Sequence, residues 1–405
     1  MIALAWRNLW RQPHRTWLTL FAIAFACLVM VFLLALQVGT YSSMEDNTMR
    51  LFDGYAQVQR PGYLNDPGIR KSFSYSEGMA RSLETVPGVG AVAARAQTYA
   101  LLSHGTRSLA VMIVGVQPKK ERQVSRIPAT VRSGHYLHGA DRGEVVLGAT
   151  LARNLGVGPG AHVTLLGVGH DGSIAADVLT VTGVFASGLR EIDRHMAEMP
   201  LTRFQADFAM PNQANVLAIS GASLSAINRA IPAIRQRLGK SGVVVRDWGA
   251  LEPGLRDAIL LDASTSMLWY VTLVVVVIAI LLNTLLMSVL ERTREFGILL
   301  ALGMRPSAAG RMVWLEIVML MALGLALGVA VGAVVVQWFA VHGLALPGAQ
   351  GVFARWGLPG LIYPRLTAFS LLAGPAAIAG IGALAGAWPW RRLRKLEPVA
   401  AMRSV

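Results

Sequence analysis

Four apolar runs decide most of what this chain can fold into. A helix crosses a bilayer with about 20 apolar residues, and residues 17–39, 267–290, 312–341 and 366–388 each supply that length. The first, second and fourth carry no charged residue, and the third holds one acid, Glu316, near its start. Composition agrees: 54% hydrophobic residues, 15% charged and a mean hydropathy of +0.49 exceed what a soluble chain of 405 residues can bury. A net charge of +14 raises nucleic acid as a partner. The bases, however, stand beside the apolar runs, where they act as topology signals instead, so no nucleic acid is expected. Cys27, the one cysteine, excludes an internal disulfide and a cysteine-based metal site.

Lys and Arg favour short cytoplasmic segments. Arg7, Arg11 and Arg15 precede the first run; Arg292, Arg294, Arg305 and Arg311 lie between the second and third; Arg391, Arg392, Arg394, Lys395 and Arg403 follow the fourth. The connection between the third and fourth has only Arg355 and Arg365. The pattern predicts an α-helical membrane protein with four transmembrane helices, both termini cytoplasmic, and a large domain outside. The segments are an amphipathic lead-in helix (1–16), spans at 17–39, 267–290, 312–341 and 366–388, an external domain (40–266), a cytoplasmic connection (291–311), an outer loop (342–365) and a cytoplasmic tail (389–405). The first apolar core is longer than that of a cleaved leader, so an uncleaved anchor is expected. The two Trp residues and the Arg residues of the lead-in suit a helix lying at the inner leaflet, among the membrane lipids.

The external insert alternates strand-like runs (55–59, 111–116, 178–185, 243–246) with helical ones (76–86, 148–155, 224–238). Strand–helix–strand order at both ends predicts a mixed α/β domain: a ferredoxin-like layer with a strand-rich subdomain inserted over about 101–205. Residues 42–52 and 250–265 are expected to extend the first two spans as a stalk, or else to be ordinary linker helices.

Catalytic signals are absent. Gly239-Lys240-Ser241 looks like the end of a phosphate-binding loop, but Ile234 stands where the first glycine belongs, and a helix stop is the expected role. The glycine-rich stretch 167–172 reads as a loop between strands. The histidines, His135 and His138 included, show no metal-ligand spacing. A non-catalytic chain that binds no cofactor or metal is expected.

Residues 291–306, ERTREFGILLALGMRP, are the most specific segment. They predict a short helix stopped by Gly303 and Pro306, with Phe296, Leu299, Leu300 and Gly303 along one side and Gly297 and Ala301 forming a small-residue stripe. A short apolar helix of this kind suggests a docking element for a partner, or one lying in the inner leaflet interface. The segment resembles the coupling helix of FtsX/MacB-type (type VII) ABC transporter permeases, whose pattern E-R-T-R-E-F-G-I-L-x-A-L-G-M it matches without a gap. The lead-in AWRNLWRQP (5–13), the stretch GEVVLG (143–148) and the end LEPVAAMR (396–403) are similar to other parts of that family.

The resemblance implies a bacterial inner-membrane permease whose motions are driven by a dimeric ABC ATPase, which would bind ATP and Mg in place of this chain. It assigns ATPase docking to Glu291, Arg292, Glu295, Phe296, Gly297, Gly303 and Met304. It further implies a second permease subunit, identical or different. Since no Walker motif is present, the chain resembles the split, lipoprotein-releasing LolC/LolE-like kind more than fused MacB. The expected substrate is a lipoprotein; the alternatives are MacB-like efflux of peptides or hydrophobic compounds through a periplasmic adaptor, and FtsX-like signalling to a cell-wall hydrolase.

Within the membrane, Gly324, Gly328 and Gly332, with Gly382 and Gly386, are spaced for close helix packing. They are expected to join the third and fourth spans or to meet the partner half-transporter. Glu316 is expected to pair with an Arg of the connection, or to serve a proton or substrate. Asn283 and Thr284 are expected to bond between helices.

Overall fold

The computed structural model describes residues 2–139, 143–239, 241–291, 295, 298, 302, 304–345 and 361–393; side chains at 2–4, 285, 288–290, 306, 309 and 385–393 are outside that set. Two compact units divide between residues 41 and 42 and between 257 and 258.

Long helices build the first unit: Pro13–Leu51 and Pro253–Glu291, of 39 residues each, Pro306–His342 of 37, and Ala368–Leu393 of 26. The first three open on proline, which is tolerated there because its missing N–H would have no helical acceptor. Among the described residues, three helices are long and apolar enough to cross a membrane, and Ala368–Leu384 is a shorter apolar stretch. At 1.5 Å per residue, 39 residues extend about 58 Å, nearly twice the hydrocarbon thickness of about 30 Å. Both 39-residue helices run unbroken across the unit division.

The glycine stripe has a different neighbour from the one expected. A methyl group at Gly328 would stand 2.5 Å from the Ala24 carbonyl oxygen and 2.6 Å from Cys27 Cβ; Gly324 faces Ile23 and Gly332 faces Val31. The stripe therefore seats the helix Pro13–Leu51, not the fourth helix, because only hydrogen at those positions lets the two backbones close. The fourth helix does pack on Pro306–His342, through Gly382 beneath Met321 and a hydrogen bond from Trp314 Nε1 to the Ala383 carbonyl (3.3 Å). Gly386 lies among the residues whose side-chain surroundings are outside the described set.

The lead-in is shorter than the expected 1–16. A helix covers Ile2–Leu9, and the next already starts at Pro13. Ala5 and Leu9 are buried while Trp6 and Trp10 are exposed, and Trp6, Trp10 and Trp17 meet edge to face at 5.9 and 5.8 Å. Rings placed like this suit the polar edge of a bilayer.

Among the described residues the second unit has twelve strands: β1 (Ala56–Gln59), β2 (Phe73–Ser74), β3 (Val89–His104), β4 (Arg107–Val116), β5 (Val131–Gly134), β6 (Glu144–Gly148), β7 (His162–Val168), β8 (Ile174–Phe185), β9 (Met196–Pro200), β10 (Gln213–Ala214), β11 (Val216–Gly221) and β12 (Val244–Asp247). Ten of them form one sheet. Its first part runs β12-β1-β11-β3, all antiparallel, with helices Glu77–Glu84 and Leu224–Leu238 between β1 and β3 and between β11 and β12. This is the ferredoxin-like order expected from the two ends of the insert. The inserted part closes on itself: β3 pairs β4, then β9, β6, β8 and β7 follow, and β7 returns to β3. Ala100, Leu102, Val111, Ile113, Val145, Leu147, Val163, Leu165, Leu179 and Val181 fill the core shared by these strands. Helix Leu224–Leu238 ends at Gly239, whose φ of +54° other residues rarely adopt, in keeping with a helix stop.

Candidate docking site at the helix ends

The helix Pro253–Glu291 ends on the first residue of the ERTREFG segment. Glu291 Oε2 accepts from Arg15 Nη1 at 3.0 Å and from Gln12 Nε2 at 3.2 Å, and Glu295 Oε2 accepts from Arg11 Nη1 at 3.0 Å. Two bases four residues apart thus face two acids four residues apart, with Arg11 in the turn between the two helices and Arg15 in the first turn of the second. The side chains remain partly open, from 24% for Arg15 to 61% for Arg11. Such pairs contribute about 0.2–1 kcal/mol each, so they orient the segment more than they stabilise it.

Deeper in the unit, Asn8 Nδ2 donates to Glu316 Oε1 at 2.8 Å, and the hydroxyls of Thr19 and Thr284 meet at 3.3 Å. Thr284 therefore bonds between helices as expected, whereas Asn283 is exposed. Glu316 is anchored by the lead-in helix, a partner that sequence spacing did not suggest. Together Asn8, Arg11, Gln12, Arg15, Glu291, Glu295 and Glu316 line a pocket floored by Leu281, Val313, Ile317 and Leu320.

Of the expected docking residues, Arg292, Phe296, Gly297 and Gly303 lie outside the described residues, as do Leu299, Leu300 and Ala301. Met304 packs against the apolar cluster of the helical unit instead of standing clear. The described apolar side chains that do stand clear are Ile298 and Leu302, 48% and 80% exposed and one turn apart. Arg11 and Arg15 carry topology and, with the lead-in, an interfacial character in the sequence, but no pairing with Glu291 and Glu295 is expected there. Their four-residue spacing, matched to that of Glu291 and Glu295, was the signal that could have found them.

Two family models cover this architecture. The MacB-like periplasmic core domain matches residues 16–234, and the FtsX-like permease C-terminal domain matches 267–398. The chain belongs to the FtsX/MacB family of ABC transporter permeases. Members of this family partner with ABC ATPase subunits. It is 24% identical over 342 residues to the lipoprotein-releasing system transmembrane protein LolC of Neisseria meningitidis serogroup B, covering 80% of each chain. It is 23% identical over 396 residues to the macrolide export ATP-binding/permease protein MacB of Bartonella henselae, covering 96% of this chain and 57% of that protein. The permease thus spans little more than half of that MacB relative. Among solved structures, the periplasmic region of MacB from Actinobacillus actinomycetemcomitans aligns with 50% of this chain and 92% of its own at 13% identity and a TM-score of 0.36.

Proposed function

We propose that this permease is a four-span inner-membrane subunit that converts ATP hydrolysis by a separate ABC ATPase into motion of a periplasmic domain, releasing lipoproteins from the membrane. One observation carries the reading: the helix that begins at Pro253, beside the sheet, is the same helix that ends at Glu291, where the docking segment starts. The two ends thus belong to one continuous run of helical backbone. The ATPase side of the reading rests on Ile298 and Leu302 as exposed apolar contacts and on Arg292, Phe296, Gly297 and Gly303 from the family pattern. Glu291 and Glu295 act by holding the segment to Arg15 and Arg11. ATP and Mg are bound by the partner dimer, and a second permease subunit completes the transporter.

Lipoprotein release is favoured by the LolC alignment, which covers 80% of both chains. Efflux of the MacB kind is favoured by an alignment reaching 96% of this chain. The positive charges beside the spans support cytoplasmic termini. The test is purification of the complex in detergent from cells carrying the native protein or Gly297→Arg. Native protein should retain the ATPase together with an acylated protein, and Gly297→Arg should remain in the membrane without the ATPase. An ATPase retained by Gly297→Arg refutes the docking assignment; a periplasmic adaptor in place of the acylated protein refutes lipoprotein release.

A further inference from the structure

The most unusual chemistry in the molecule lies away from the docking segment, in the α/β unit just after the first long helix. Arg95 on β3, Glu121 on helix Pro118–Val124 and Glu198 on β9 are all 0% exposed. Arg95 Nε and Nη2 donate to the two oxygens of Glu121 at 3.1 and 2.6 Å, so one acid is neutralised by a two-pronged pair. The Phe52 ring lies on the same guanidinium, 4.2 Å from its carbon to the ring centroid. Phe52 is the residue after the last turn of helix Pro13–Leu51. That helix is thereby pinned to the sheet through Arg95.

Glu198 is the remaining acid. Tyr136 Oη donates to its Oε2 at 2.8 Å, while Oε1 and Arg95 Nη1 have no hydrogen-bond partner among the described residues. Val114 and Val146, its neighbours across β4 and β6, offer no polar group. Burial, then the charge of Glu121, push the Glu198 carboxyl up to about 8, against the opposing effects of Tyr136 and Arg95. The other charges facing the group are Asp53, which adjoins Arg95 and whose own carboxyl is raised by burial, and Arg122, 5.2 Å over the Tyr136 ring. One guanidinium thus faces three carboxyls, and since its charge is already matched by Glu121, an ionised Glu198 has no counter-charge of its own.

We infer that Glu198, Arg95 and Tyr136 form a proton-operated catch on the end of the first long helix. With Glu198 protonated, Arg95 stays on Glu121 and beneath Phe52. When Glu198 ionises, its bare Oε1 draws the unused Nη1 of Arg95, and the guanidinium turns away from the Phe52 ring. The helix end then loses one of its anchors and is held by the Arg126 N–H on the Arg50 and Leu51 carbonyls and by the buried Met49. The catch is independent of whether the coupling segment binds an ATPase.

The test is amide hydrogen exchange of the full chain in detergent over residues 46–56, corrected for the intrinsic pH dependence of exchange. Local opening that releases one proton becomes about tenfold easier per pH unit below the midpoint. Corrected exchange in this segment should rise by at least about tenfold from pH 6 to pH 8 and then level off. Glu198→Gln should flatten the profile. Tyr136→Phe removes the hydrogen bond that favours the carboxylate and should move the plateau to higher pH, which a purely structural loss would not do. A flat profile in the native protein overturns the catch, as does a Glu198→Gln profile that follows the native one. Should Glu198→Gln fail to fold, an unmoved plateau in Tyr136→Phe overturns it equally.

Discussion

Replacing Arg95 by Met tests how much the α/β unit depends on its buried pair. Met keeps much of the volume but leaves both Glu121 oxygens, 0% exposed, without the bonds of 3.1 and 2.6 Å they receive from Arg95. Removing one member of a buried pair costs about 3–5 kcal/mol, because the survivor must be solvated or protonated. For a unit of this size each kcal/mol lowers the melting temperature by about 2–4 °C, so a loss of about 10 °C is expected. Arg95→Met combined with Glu121→Leu should recover most of it, since apolar residues of similar volume replace such a pair without the charge left behind. Thermal unfolding of the full chain in detergent, followed by circular dichroism, reads both variants. A single variant melting within about 2 °C of the native protein, or a double variant no better than the single, would refute the reasoning.

In the helical unit, Gly328→Leu should destabilise by about 1–3 kcal/mol through overlap with the Ala24 backbone, whereas Gly380→Leu, with nothing within 4 Å of its would-be Cβ, should be tolerated. Size-exclusion profiles after heating distinguish them, and equal behaviour would count against the stripe. Arg15→Glu should lower ATPase co-purification with little change in melting, as the pair with Glu291 is partly exposed. Adding Glu291→Arg should restore it; failure of that exchange to rescue would remove the orienting role.

Three of the four apolar runs and the ferredoxin-like ends were legible, because each rests on local periodicity or on element order, whereas the fourth run is a shorter apolar helix among the described residues. Helix Leu224–Leu238 lies where the sequence placed it, and Val178–Phe185 falls inside the longer β8. Closure of the inserted strands was not legible. It depends on β4 and β9 lying parallel and on β7 reaching both β3 and β8, pairings between residues far apart in the chain. The neighbour of the glycine stripe was hidden for the same reason: spacing announces close approach but not the helix that approaches. Arg95, Glu121 and Glu198 gave no signal at all, since nothing in their spacing marks three charges that meet only in the folded sheet.

The circular pairing of β3, β4, β9, β6, β8 and β7 has a mechanical meaning. An open sheet can be unzipped from its border one hydrogen bond at a time, but a loop of strands has no border at which to begin. Many bonds must shear together before any strand leaves. Such a body resists unravelling under tension.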